Sequence, residues 1–257
     1  MKTQISKDNP FGANRYGFLW ETLAKRRKGV HLDFGTFCGD TLVRLIKSGV
    51  IEKGIGIDIN QAAIGFSAAN PCEGISLHVI KKDERLPFED ESFDSISILD
   101  VLEHIHDQEA VLKDIHRLLK RDGIRIVTVP QKHVFSALDI GNLKFIFPRL
   151  HKIAYSLLYS KEEYRRRYIE CENGLFGDIE LEKMWHQHFS ESELGRLLNN
   201  CGFEDIMFDG CGLFVRPLGL ILCLSPFLKA GRRLLDADAR CFESANLFCA
   251  ARPKQST

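Results

Sequence analysis

His31-Leu32-Asp33-Phe34-Gly35-Thr36-Phe37-Cys38-Gly39-Asp40, followed by Gly54-Ile55-Gly56-Ile57-Asp58-Ile59, decides the fold class. A short apolar strand runs into a glycine-punctuated turn, the turn opens a helix, and a second apolar strand ends in an acid. Glycine at such a turn lets backbone approach a ligand where a Cβ would collide. An acid ending the second strand can accept from both hydroxyls of a ribose, because a carboxylate offers two acceptor oxygens in one plane. The pattern predicts a pocket for an adenosine-type cofactor, built from Asp33, Gly35, Gly39 and Asp58.

Working outward, strands are expected at residues 30–34, 55–59, 75–80, 95–99, 124–129, 203–209 and 245–251. Helices are expected at residues 16–25, 40–48, 61–69, 107–119 and 190–201, with Asp122-Gly123 as the stop of the fourth. The near-continuous apolar strands suit a parallel sheet covered on both faces. Strands alternating with helices imply right-handed crossovers. The expected class is α/β, a Rossmann-like, seven-stranded, mostly parallel sheet with helices on both faces. Ser190-x-x-Glu193 reads as a capping box opening the last of these helices.

At 257 residues the chain suits one large or two small domains, and 44% hydrophobic with 27% charged residues is an ordinary globular composition. Lys+Arg and Asp+Glu are both 35, so overall charge gives no argument for a nucleic-acid partner. The eight cysteines form no C-x-x-C pair, which points away from zinc ribbons and redox motifs. Residues 1–20 are polar and broken by Pro10, Gly12 and Gly17, unlike a signal peptide, so the expected location is cytoplasmic. Leu213 to Leu228 is strongly apolar, but Arg216, Pro217 and Pro226 interrupt it, and a capping helix is expected there rather than a span.

The turn also selects the cofactor. A dinucleotide fingerprint requires G-x-G-x-x-G, whereas Asp33 here precedes the first glycine. A carboxylate there repels a pyrophosphate and suits a cationic ligand carrying an amino group and a sulfonium. This turn resembles the first motif, D-x-G-x-G-x-G, of class I S-adenosylmethionine-dependent methyltransferases of the small-molecule type, with Phe37 in place of the middle glycine. Lys82 to Asp94, containing Leu86-Pro87-Phe88 and Ser92-Phe93-Asp94, is similar to that family's "LPF.D.SFD" segment. Ser95 to Ile105 looks like its fourth strand and following acidic edge, so the resemblance runs over roughly residues 28–130.

The resemblance implies a single methyltransferase domain over residues 1–257, with the last strand pair antiparallel and lid-like insertions at 131–189 and 210–244. It places Asp83, or its neighbour Glu84, beside the adenine, and Asp100 at the cofactor edge; Asp94 is expected to cap a strand end instead. The implied reaction is methyl transfer from S-adenosylmethionine to an oxygen, with a nitrogen or carbon as lesser alternatives, of a small-molecule, glycan or lipid-type acceptor. No Asn-Pro-Pro-Tyr element follows the fourth strand, which argues against methylation of nucleobase amino groups.

Asp100-x-x-Glu103-His104 supplies the catalytic candidates, His104 with Glu103. A histidine of ordinary pKa near 6.5 can remove a hydroxyl proton around neutrality. The trio also resembles the E-x-x-E-H element of magnesium-binding O-methyltransferases, in which His186 or His188 would complete the set. Against it, magnesium prefers oxygen ligands and Asp100 stands in place of Glu, so no metal is assigned. The aromatic and basic run from Tyr155 to Tyr168 reads as a solvated helix or a contact for a phosphate-bearing or lipid-linked acceptor, including a peripheral membrane contact. Two rival readings stay open: a methyltransferase-fold binding protein, favoured by Phe37, and a metal-dependent RNA 2′-O-methyltransferase, disfavoured by the neutral charge.

Overall fold

In the computed structural model, residues 15–68, 72–81, 84–136, 147–158, 160–168, 187–214, 218 and 228–254 are described. The chain runs α1 (Arg15–Ala24), β1 (Val30–Phe34), α2 (Asp40–Lys47), β2 (Lys53–Asp58), α3 (Gln61–Ala68), β3 (Ile75–Val79) and β4 (Phe93–Leu99). A 3₁₀ turn (Leu102–His104), α4 (Gln108–Leu118) and β5 (Leu119–Pro130) follow. Then come α5 (Pro148–Leu158), α6 (Lys161–Tyr168), α7 (Glu191–Asn200), β6 (Phe203–Cys211), α8 (Leu228–Cys241) and β7 (Asn246–Pro253). One seven-stranded sheet has the order β3-β2-β1-β4-β5-β7-β6. The pairs β1–β2, β1–β4, β2–β3 and β4–β5 are parallel, and β7 lies antiparallel between β5 and β6.

Strand order reverses at β1, which sits between β2 and β4, and in open α/β sheets ligands bind outside the carboxyl ends of the strands at such a reversal. The strands alternate their side chains between two helix layers. On one side Leu19 and Leu23 of α1 and Leu42 and Leu45 of α2 cluster with Ile124 and Ile126 of β5. On the other, Leu112, Ile115 and Leu118 of α4 and Leu194 and Leu198 of α7 close over Leu32, Ile96, Ile98 and Val127. Each fully buried aliphatic side chain contributes about 1.5–3 kcal/mol, so these two layers outweigh any single polar contact.

The expected strands all form, most of them extended at an end, though Ile59, Ile80 and Ala245 fall just outside theirs; the stop of α4 lies elsewhere. The helix ends at Leu118, and Asp122-Gly123 fall inside β5, where pairing jumps from Phe93↔Leu119 to Ser95↔Ile124. The carbonyls of Arg117 and Leu118 accept from the N–H groups of Glu91 and Ser92, at 3.0 and 2.9 Å. The helix end is thereby satisfied without a glycine cap. Ser190 and Glu193 form the expected capping box. Asp94 acts structurally as expected, its carboxylate accepting from Val30 N–H at 2.8 Å and from Lys120 Nζ at 2.9 Å.

The 210–244 segment is anchored at its base. Gly212 N–H donates to the Phe242 carbonyl at 2.7 Å, and Asp238 accepts from Leu213 and Phe214 N–H. Backbone approaches closely here: a Cβ on Gly210 would stand 2.0 Å from the Glu243 carbonyl oxygen. Gly210→Ala should therefore destabilise the fold by about 1–3 kcal/mol through forced displacement of that backbone, measurable as a lowered thermal midpoint. An unchanged midpoint would show that the 243 loop yields freely.

Candidate active site

The turn after β1 is built by backbone geometry. Gly35 has φ +78°, and a Cβ there would stand 2.4 Å from Val101 Cγ2, so the turn and the segment after β4 pack too closely for another residue. Gly39, at φ +77°, forms the N-cap of α2. Phe37 sits at φ +53°, the left-handed conformation natural to glycine, so the loop keeps a glycine-type path despite the substitution. Gly35 and Thr36 N–H both donate to the Ile57 carbonyl, at 2.8 and 3.0 Å, tying the turn to β2.

Asp58 ends β2 beside this turn. One carboxylate oxygen accepts from Phe37 N–H at 2.7 Å and the other from Asn60 N–H at 2.8 Å. The same acid thus fixes the left-handed loop, and each oxygen keeps a further lone pair for a hydroxyl donor. Asp33 is buried next to it and accepts from the Ser97 hydroxyl at 2.6 Å. Burial pushes its carboxyl up to about 6, against the pull of the Ser97 and Thr36 hydroxyls and of Arg15.

Asp100, directly after β4, also takes a left-handed backbone at φ +53°. Its carboxylate accepts from Thr128 Oγ1 at 2.6 Å and pairs with Arg15 Nη1. Asp100 holds the Arg15 guanidinium above its ordinary range despite burial, and Glu103 and Asp33 add to the effect. Arg15 is thus a candidate site residue that sequence reading missed. Its partner lies 85 residues away, and nothing in the stretch around Tyr16 marks it.

Glu103 is buried on the 3₁₀ turn after β4, and its Oε1 stands 3.9 Å from His104 Nε2. Gln108 Nε2 ties this turn down, donating to the Leu102 carbonyl and to Gln187 Oε1, both at 2.9 Å. Gln187 and His188 are brought to the carboxyl end of β5, where Phe189 N–H donates to the Pro130 carbonyl at 2.9 Å. The structure therefore gathers Asp33, Gly35, Gly39, Asp58, Asp100, Glu103 and His104 along one sheet edge. Asp83 and His186 lie outside the described residues. Glu84, the alternative to Asp83, is paired with Lys81 on the surface.

The "LPF.D.SFD" segment has a structural explanation that sequence reading did not supply. Arg117 of α4 donates to the carbonyls of Leu86 and Phe88 and to Asp90 and Asp114, and Leu86 N–H donates to Asp114 at 2.7 Å. Among the described residues no group of three or more His, Cys, Asp or Glu side chains is arranged to hold a metal ion. Among the same residues no helix is long and apolar enough to cross a membrane.

This fold recurs in known proteins. The sequence profile of a methyltransferase domain matches residues 13–207. The demethylmenaquinone methyltransferase of Staphylococcus aureus is 32% identical over 145 residues, covering 54% of this chain. The match spans 58% of that relative's length. Among solved structures, the Haemonchus contortus phosphoethanolamine N-methyltransferase 2, complexed with phosphomonomethylethanolamine and S-adenosylhomocysteine, superposes with TM-score 0.57 at 16% identity, over 95% of this chain and 53% of that one. The [4+2]-cyclase SpnF superposes with TM-score 0.56 at 15% identity, over 93% and 82%. Those two likenesses are likenesses of fold. The profile covers well over half of the chain, which therefore belongs to the methyltransferase domain family, with the class I fold and S-adenosylmethionine as the family's cofactor.

Proposed function

We propose that the chain transfers a methyl group from S-adenosylmethionine to an oxygen of a small-molecule, glycan or lipid-type acceptor. The observation that carries this reading is the meeting, at one sheet edge, of the Asp33–Gly39 turn and Asp58 with Glu103 and His104. Residues present fit the cofactor group by group. Asp58 offers acceptors to the ribose hydroxyls, and Asp33 faces the cationic end. Asp100 holds Arg15 at the same edge, where the guanidinium suits the cofactor's carboxylate.

The sulfonium is already activated, so the chain needs to align the acceptor and remove one proton. His104 is the base in this reading, with buried Glu103 beside it to favour the imidazolium that forms. Phe214, Leu218, Leu234, Ala237, Cys241 and Phe242, with Asp238 tied to the backbone of Leu213 and Phe214, line a cavity of about 360 Å³. Its Phe214 ring lies 5.3 Å from Phe135, just past the carboxyl end of β5. That lining supports an acceptor with an apolar body and a lid role for the 210–244 segment. Exposed Phe147, Leu150 and Ile153, interleaved with exposed Arg149 and Lys152, support a peripheral contact with an anionic membrane surface.

A second reading, a methyltransferase-fold protein that binds without transferring, is favoured by Phe37 in the glycine turn. Calorimetry and turnover separate the two. Asp58→Ala should weaken S-adenosylmethionine by about 1–3 kcal/mol, since ribose acceptors and the loop anchor are lost together. Unchanged affinity would remove Asp58 from the site. In a methyl-transfer screen over candidate acceptors, His104→Ala should lower turnover about 10²- to 10⁴-fold with cofactor affinity intact, and the wild-type rate should survive chelators. A fully active His104→Ala protein would exclude His104 as the base.

A further inference from the structure

We propose that His31 and Ser97 act through Asp33 as positioning residues for the cofactor's cationic end: a hydrogen-bond ladder between β1 and β4 holds that carboxylate in its charged form. The inference rests on the cofactor reading above. The two strands are parallel in the register His31↔Ser95 and Asp33↔Ser97, so these side chains share one face of the sheet. His31 Nδ1 is 2.8 Å from Ser95 Oγ, and Nε2 is 2.9 Å from Ser97 Oγ. Ser97 Oγ in turn donates to Asp33 Oδ1 at 2.6 Å.

Proton counting fixes the direction of the ladder. A serine has one hydroxyl hydrogen, and Ser97 commits it to Asp33. Ser97 must then accept from His31, so Nε2 carries the imidazole proton and Nδ1 accepts from the Ser95 hydroxyl. Every donor points toward Asp33. His31 and Ser97 are fully buried, and burial pushes the imidazole down to about 3, which keeps it neutral. In such a medium an oriented chain of dipoles stabilises the carboxylate strongly.

The groups facing Asp33 oppose one another. Burial and Asp58 push its carboxyl up, the Ser97 and Thr36 hydroxyls and Arg15 pull it down, and the balance is about 6. The acid is therefore charged near neutrality by a narrow margin. Losing the ladder would leave it protonated, and a protonated acid does not hold a cation.

Folding linkage carries the same signature. His31, lowered from 6.5 to about 3, contributes stability that is present above pH 6.5 and lost as pH falls. Asp33, raised from 3.8 to about 6, contributes stability that is present below pH 3.8 and lost as pH rises through 6. Between about pH 4 and 6 the two slopes cancel. Asp33→Asn should unmask the histidine, so its folding constant falls, relative to wild type, by up to tenfold per unit as pH drops from 6 to 4.

The test is the pH dependence of S-adenosylmethionine affinity, measured by calorimetry from pH 5 to 8.5, with circular dichroism to confirm folding. Wild-type Kd should rise by up to tenfold per unit below a midpoint near 6. Ser97→Ala should move that midpoint up by about one to two units while leaving Kd at pH 8.5 within about twofold. His31→Phe should move it by less, because Ser97 still donates, and it carries the test if Ser97→Ala fails to fold. A flat wild-type profile overturns the ladder, as does an unmoved midpoint in the folded variants or an equal loss of affinity at every pH. Absence of cofactor binding by the wild type at every pH overturns the cofactor reading, and the ladder with it.

Discussion

The parallel pairing of β1 with β4 is the constraint on which the rest of the structure depends. It makes β1 the point where strand order reverses, the place at the carboxyl edge where open α/β sheets take their ligands. It also brings the Gly35 turn against Val101, and it stacks His31, Ser95, Ser97 and Asp33 on one face. A slip of one residue would turn those polar groups toward the opposite layer, where Leu32, Ile96 and Ile98 now pack. A buried polar ladder satisfied in only one register thus fixes the alignment of the two strands that build the site.

Charge then fastens distant segments to that frame. Arg15 joins α1 to Asp100, and Arg117 clamps the loop before β4 onto α4. Exposed ion pairs contribute about 0–1 kcal/mol, so pairs such as Lys81–Glu84 matter little. Arg117 differs because it is largely buried and donates to the backbone carbonyls of Leu86, which also accepts from Phe88 N–H, and of Phe88. Such contacts add geometry to a fold whose stability comes from the two apolar layers.

How much of this was legible in the sequence follows from how local each signal is. The strands were readable because β1, β2 and β4 are apolar runs bounded by glycine or acid, and Ser190-x-x-Glu193 announced α7. The stop of α4 was misplaced because Asp122-Gly123 looks like a helix stop, while Glu91 and Ser92 satisfy the helix end through space. Phe37 broke the expected glycine pattern, yet its backbone follows the glycine path because Asp58 accepts its N–H. Arg15 and His31 were not singled out: one acts across 85 residues, the other sits inside an apolar strand where only register reveals its partners.

S-adenosylmethionine should bind at the carboxyl edge between β1 and β4 with Asp58 at its ribose. A crystal structure with S-adenosylhomocysteine tests this most directly. Ribose hydroxyls should lie within hydrogen-bond distance of Asp58, the amino-acid end between Asp33 and Arg15, and the sulfur should face the side of His104. A ligand bound elsewhere, or that edge left empty at saturating ligand, would contradict it.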